Sequence, residues 1–259
     1  MRVGFGLFFI LLAQSSLSAT KVVLDPGHGG SDYGAVVGRI RESQITLNVA
    51  KHVADLLRKD ERFRVQLTRE SDNFVGLEER ASQANRWGDI FVSIHVNSSS
   101  DARARGEEIY FQNQLPTNEE SLFLANRENS DVSSPSSVAR SVSLALKNKS
   151  NLNSDVRAIV EDLERNHNFM LSGRLAEFLF KNWSGEKIIR RHTIRQAPFF
   201  VVSNVDKPAA LIEIGYLTNA KESAQITDQK YQKTVAQGIY GALVQFKEFM
   251  DKSIPKSLD

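Results

Sequence analysis

Four side chains in this sequence have types and positions that could do chemistry together: His28, Glu42, His95 and Glu213. His28 follows Lys-Val-Val-Leu-Asp (21–25), at the point where an apolar run meets the breaker cluster Pro26-Gly27-His28-Gly29-Gly30. His95 stands near the end of Ile-Phe-Val-Ser-Ile-His-Val (90–96), and Asn97 comes just after it. Glu213 is embedded in the apolar run Ala-Ala-Leu-Ile-Glu-Ile-Gly-Tyr-Leu (209–217), and Glu42 sits just before a helical pattern. Two imidazoles and one carboxylate make a ligand set typical of hydrolytic zinc, with one position open for water. A carboxylate inside an apolar run is rare unless paired, and burial raises its pKa toward the range of a general base. Singly, each residue has a plainer reading. A lone histidine at a strand end is more often a hydrogen-bonded structural residue, and an acid at Glu42 suits a helix start, where the macrodipole favours it. Together the four outweigh those readings. His52 lies at the edge of a helical stripe, and His167 and His192 have polar surroundings, so these three read as structural or solvated. The glycine-rich turn 27–30 lacks the Lys-Ser/Thr of a phosphate loop and the spacing of a dinucleotide fingerprint. There is no cysteine, which excludes disulfides, thiolate metal sites and thiol nucleophiles and leaves His, Asp and Glu to hold any metal.

Elements that could gather these residues are legible from periodicity. Strands are predicted over 21–25, 64–69, 90–96, 108–112, 197–203 and 209–216. Helices are predicted over 45–59, 77–87, 155–183 and 231–250, each with apolar residues recurring on one stripe. Alternating strands and helices predict an α/β fold. The expectation is a single domain with a mixed, mostly parallel sheet of about six strands, helices on both faces, and a helical insertion. Ligands in such folds bind at the carboxyl ends of the strands, where His28 and His95 fall. The stretch 114–154 breaks the rhythm; it is rich in serine and asparagine, with a short amphipathic pattern over 138–149.

Composition sets the frame. The chain has 259 residues, 41% of them hydrophobic and 25% charged, with a net charge of +2. That is ordinary globular composition, which excludes a wholly disordered chain or a coiled coil and gives no argument for nucleic acid as a partner. The first nineteen residues differ. Arg2 precedes an apolar run from Val3 to Ala13, and small residues follow. This pattern predicts a signal peptide over 1–19, and its apolar run is short of the roughly 20 residues that span a bilayer. The expectation is an exported, periplasmic or cell-envelope protein without a stable membrane anchor.

The motifs, taken in order, resemble a known family. Val23-Leu24-Asp25-Pro26-Gly27-His28-Gly29-Gly30, then Leu67-Thr68-Arg69, Leu77 and Arg80, Ala84-Asn85, Ser93-Ile94-His95-Val96-Asn97 and Pro208 to Asn219 resemble the zinc-dependent N-acetylmuramoyl-L-alanine amidases, the Amidase_3 family. The resemblance covers about residues 21–250. It implies zinc held by His28, Glu42 and His95, Glu213 as the catalytic glutamate, and peptidoglycan as substrate, cut between N-acetylmuramic acid and L-alanine. Ser43 and Val96 depart from the residues common there, but neither supplies a ligand atom. The implied organisation is a catalytic domain over 20–252 with a regulatory insertion at about 114–167, and a tail over 253–259. The insertion offers Glu119, Glu120, Glu128 and Asp131 as carboxylates for zinc's open position. Arg127-Glu128-Asn129-Ser130-Asp131 resembles a run in division-associated members, where a helix blocks zinc until an activator binds. That likeness makes Glu128 a candidate autoinhibitory zinc ligand. It also makes the insertion the candidate docking site for an activator protein, with Val138, Val142 and Leu146 on one face of a docking helix.

Overall fold

The computed structural model describes residues 18–112, 119–130, 154–182 and 193–253. The expected signal peptide, the docking helix over 138–149, Asp131, His192 and the tail beyond residue 253 lie outside them.

Along the chain run β1 (Thr20–Pro26), β2 (Val36–Val37), β3 (Ile40–Arg41), α1 (Glu42–Leu57), β4 (Phe63–Leu67), α2 (Leu77–Trp87), β5 (Ile90–Asn97) and β6 (Glu108–Gln112). They are followed by α3 (Glu119–Glu128), α4 (Ser154–Asn182), β7 (Thr193–Ala197), α5 (Phe200–Ser203), β8 (Ala209–Tyr216), α6 (Ala220–Ile226) and α7 (Gln229–Ser253). Six strands form one sheet in the order β4-β1-β5-β8-β6-β7, and β2 with β3 makes a small hairpin. Within the six-stranded sheet the pairings are parallel except β6 with β8.

Strand residues alternate between two apolar cores because successive side chains leave opposite faces of a sheet. Val22, Leu24, Val92, Ile94, Ala210 and Ile212 join the core beneath α1, α4 and α7. Val23, Phe91, Ala209 and Leu211 join a second core with Ala81 and Ala84 of α2, Leu124 and Ala125 of α3, and Phe200 to Val202. With both faces covered, the central strands read as continuous apolar runs, which is how the sequence betrays them. Fully buried side chains such as Phe246 and Leu57 each contribute about 1.5–3 kcal/mol of transfer free energy. On the second face the side chains turn polar toward the carboxyl ends. Asp25 lies beside Ser93, and His95 beside Glu213, in register.

The structure bears out the α/β class, the single domain and the six-strand, mostly parallel sheet. Three local expectations change. A strand expected over 197–203 is instead the end of β7, a turn at Pro198-Phe199 and the short helix α5. Pro198 has no amide to donate to a ladder, and the buried Phe200, Val201 and Val202 that suggested a strand pack as a helical turn. The true β7 is a partly exposed edge strand, Thr-Ile-Arg-Gln-Ala, with little apolar signal. Helix α1 starts at Glu42, three residues before the first apolar one. Its cap residue Arg41 offers no side-chain hydrogen bond. The carbonyls of Ala35 and Tyr33 accept instead from the amides of Glu42 (2.9 Å) and Ser43 (3.2 Å). These bonds satisfy two of the orphan donors at the helix start and leave the Glu42 carboxylate to point elsewhere.

Candidate metal centre

His28, Glu42 and His95 meet at the carboxyl edge of the sheet. His28 belongs to the turn after β1, Glu42 opens α1, and His95 is on β5. Glu42 Oε1 lies 3.3 Å from His28 Nε2 and 3.2 Å from His95 Nδ1. The two imidazoles stand edge to face with centroids 5.0 Å apart. Ligand atoms of all three residues fall within 4.8 Å of one another.

Each of the three is fixed from behind. Asp32 Oδ2 accepts from His28 Nδ1 at 2.7 Å, which leaves Nε2 facing the cluster. Such a carboxylate behind a histidine sets its tautomer and orientation. Glu42 accepts from the amide of Ala35 through Oε2 (2.8 Å) and from that of Val96 through Oε1 (2.7 Å), so its plane is locked between a loop and β5. His95 lies against bare backbone: a Cβ at Gly27 would come within 2.5 Å of its ring. Gly34, at φ +63°, is equally confined, since a Cβ there would meet Glu42 Oε2 and His28 Cδ2 at 2.5 Å.

Two further carboxylates reach the same place. Glu213 on β8 is fully buried beside His95, and neither of its oxygens has a hydrogen-bond partner. Glu128, the last residue of α3, puts Oε2 3.2 Å from His28 Nε2 and 3.4 Å from His95 Nδ1. Arg127 holds the other oxygen of Glu128 through Nε at 3.0 Å, and from Nη1 it donates to the carbonyl (3.1 Å) and hydroxyl (2.9 Å) of Ser98. Asn129 staples the end of α3: its Nδ2 donates to the Pro198 carbonyl (2.9 Å) and its Oδ1 accepts from the Phe200 amide (2.7 Å).

Charge explains the titration behaviour. Burial disfavours charge on His28, but the negative charge of Glu42, the hydrogen bond to Asp32 and the nearby Glu128 carboxylate outweigh it and raise the imidazole well above its usual value. His95 is raised too, against its own burial, by Glu128 and Glu42. Glu42 and Glu128 are held low, against burial, by the two histidines. Glu213 is pushed well above the ordinary carboxylate range by its burial and by Glu42 and Glu128, with His95 pulling the other way. The surroundings thus favour positive charge between the imidazoles.

His28 Nε2, His95 Nδ1 and Glu128 Oε2 are buried and lack hydrogen-bond partners. Unsatisfied buried polar atoms are costly, and several converging on one point call for a ligand. Imidazole nitrogens with carboxylate oxygens are the donor set of a divalent cation such as zinc, so the residues fit one.

The structure therefore brings together all five candidate residues named from the sequence: His28, Glu42, His95, Glu213 and Glu128. Of the other acids in the insertion, Glu120 pairs with Arg195 at 2.8 Å and Glu119 is exposed. His52 is half-buried on α1 and His167 exposed on α4; neither joins the cluster. Sequence reasoning missed Asp32 and the Arg127–Ser98 contact. Asp32, four residues after His28, could have been found by asking which carboxylate orients that imidazole.

Comparison with known proteins shows one family. The family model Amidase_3, described as N-acetylmuramoyl-L-alanine amidase, matches residues 22–245. A Haemophilus influenzae protein named "Probable N-acetylmuramoyl-L-alanine amidase AmiB" is 30% identical over 250 residues, 95% of this chain. This chain spans only 56% of that relative's length. N-acetylmuramoyl-L-alanine amidase AmiA of Escherichia coli is 27% identical, over 92% of this chain and 80% of its own. The solved catalytic domain of CwlV, an N-acetylmuramoyl-L-alanine amidase from Bacillus (Paenibacillus) polymyxa var. colistinus, superposes with a TM-score of 0.64. It is 28% identical, covering 88% of this chain and 98% of its own.

Proposed function

Because this chain belongs to the Amidase_3 family of N-acetylmuramoyl-L-alanine amidases, we propose that it is a zinc-dependent peptidoglycan hydrolase. It cleaves the amide between N-acetylmuramic acid and the L-alanine of the stem peptide. The observation that carries this reading is the convergence of His28, Glu42 and His95 on one point, with unbonded imidazole nitrogens aimed at it, beside the buried Glu213.

His28, Glu42 and His95 hold the ion. Zinc, when bound there, supplies a positive charge that acidifies water and polarises a carbonyl. Glu213 takes the proton from the attacking water and returns it to the L-alanine nitrogen as that bond breaks. The raised proton affinity of its buried carboxyl suits both tasks. An amide nitrogen leaves poorly as an anion, so the returned proton is essential. Asp32 keeps His28 in the tautomer that presents Nε2.

Residues 20–252 form the catalytic domain, residues 253–259 a tail, and residues 1–19 export the chain to the periplasm or cell envelope. Among the described residues, no helix is long and apolar enough to cross a membrane. Glu128 acts as an autoinhibitory plug: it lies within 3.4 Å of both histidines and excludes substrate. The insertion at about 114–167 carries that plug and receives an activator protein that draws it away, which places the enzyme in wall remodelling or daughter-cell separation. Digestion of purified peptidoglycan with zinc-loaded protein tests the reaction. The expected products, read by mass spectrometry, are peptide-free glycan strands and stem peptides beginning with L-alanine. Fragments cut within the stem, or an undigested wall even from a Glu128→Ala variant, would overturn the assignment.

A further inference from the structure

Two buried arginines take no part in the chemistry just described. Arg69 and Arg80 are each 2% exposed, an unusual place for a guanidinium. Most of their hydrogen bonds run to backbone carbonyls; besides those of Ser71, for Arg69, and Val75, for Arg80, these belong to the segments that carry His28 and Glu42. Arg69 donates from Nε to the Pro26 carbonyl (3.0 Å) and from Nη2 to those of Gly27 (2.7 Å) and Ser43 (2.8 Å). Arg80 donates from Nη1 to the Pro26 carbonyl and to Asp25, both at 2.7 Å, and from Nη2 to the His28 carbonyl at 2.8 Å. Three successive carbonyls, 26 to 28, are thereby gripped by guanidinium groups.

The turn needs such a grip. His28 has φ 59° and is the one non-glycine residue in the left-handed region among the described residues. That conformation costs an L-residue roughly 1–2 kcal/mol, and it persists only where the surroundings over-determine it. A single Arg69 nitrogen also joins Gly27 to Ser43, the neighbours of His28 and Glu42 in the chain. A rigid planar fork thus sets the spacing between two segments that are otherwise separate. The pair is costly to bury: burial and the charge of Arg80 depress the Arg69 pKa to about 10.

We infer that Arg69 and Arg80 are positioning residues for the metal centre, holding the carbonyls of Pro26, Gly27, His28 and Ser43 so that His28 and Glu42 converge on one cation. The inference rests on the reading of His28, Glu42 and His95 as the ligands.

Arg69→Lys and Arg80→Lys keep the charge and lose the fork. The measurement is Zn2+ affinity by competition with a chromogenic chelator, together with the visible spectrum of the Co2+-loaded protein and the thermal midpoint of the metal-free form. Leu57→Val, a core change away from the turn, is the control for lost stability. Partners behind metal ligands typically contribute about 10–100-fold in affinity. That weakening is expected in both arginine variants, with an altered Co2+ spectrum, while the control binds as the parent does. Folded arginine variants with unchanged zinc affinity overturn the inference, as does a loss that the control shares. Should Arg80→Lys fail to fold because Asp25 is left poorly paired, Arg69→Lys decides alone, since its bonds run to carbonyls and the Thr46 hydroxyl. His28→Ala is measured alongside: undiminished zinc binding there sinks the ligand reading itself, a different failure.

Discussion

Glu213 lies mid-strand on β8 with both oxygens unbonded, next to an imidazole that favours its charge and two carboxylates that oppose it. Glu213→Gln keeps the shape of the side chain and removes the proton shuttle. The variant is expected to bind zinc like the parent and to release stem peptides about 10²–10⁴-fold more slowly; a near-normal rate would assign the proton transfer to another group. Asp25 is a different case, since its role is purely structural. It is fully buried and accepts from Thr68 (2.6 Å), Arg80 (2.7 Å) and Ser93 (2.7 Å). Burial pushes its pKa up, but Arg80 and the hydroxyls bring it below the ordinary aspartate value. A carboxyl with a depressed folded pKa stabilises above its unfolded pKa, and that contribution is lost as pH falls through the folded value. Urea midpoints measured across pH should therefore drop in acid for the parent and less steeply for Asp25→Asn. At neutral pH the variant should be less stable by about 3–5 kcal/mol, because Arg80 loses its buried partner. These two acids also mark what a sequence can tell. Glu213 stood out because a charge interrupts an apolar run. Asp25 did not: it closes the predicted strand 21–25 just before Pro-Gly, and its partners are 43 to 68 residues away.

Among the elements, α3, which carries the proposed plug, was the least legible. It is ten residues long, and only Ser121, Leu124 and Ala125 are buried, so its sequence blends into the polar stretch around it. Strands covered on both faces, such as β5 and β8, announced themselves by unbroken apolar runs; the polar edge strand β7 and the hairpin of β2 and β3 carry no such signal. Polar contacts at its two ends assist α3's short apolar grip. Glu120 pairs with Arg195 near the start, while Arg127 on Ser98 and Asn129 on the backbone of Pro198 and Phe200 hold the end. Asn129→Ala removes two hydrogen bonds while leaving Glu128 in place. Its expected effect is a raised rate of stem-peptide release without any partner, smaller than that of Glu128→Ala. In a Glu128→Ala background the second change should add nothing, because two changes acting through one plug are not additive. Full additivity would separate Asn129 from the plug.

Over the whole molecule, one sheet serves both cores, and the candidate metal cluster joins a turn, a helix start and two of its central strands. On the proposed reading, folding and ion capture are coupled. Saturating zinc should raise the thermal midpoint of the parent by mass action and leave that of His95→Ala nearly unmoved, as differential scanning calorimetry can check. The contact of Glu128 with both imidazoles then has a consequence beyond the proposed blocking of substrate. On the proposed reading Glu128 would give the ion one more donor in the shut state, so the closed helix and the ion would stabilise each other, and coupling of this kind is reciprocal. Whatever lifts the helix must loosen the ion by the same factor. Zinc should escape faster from Glu128→Ala than from the parent, a rate that trapping with a strong chelator measures directly. On the proposed reading, a latent protein would keep its metal where zinc is scarce and a released one would lose it, so each activation would start a clock that ends in a harmless apoprotein.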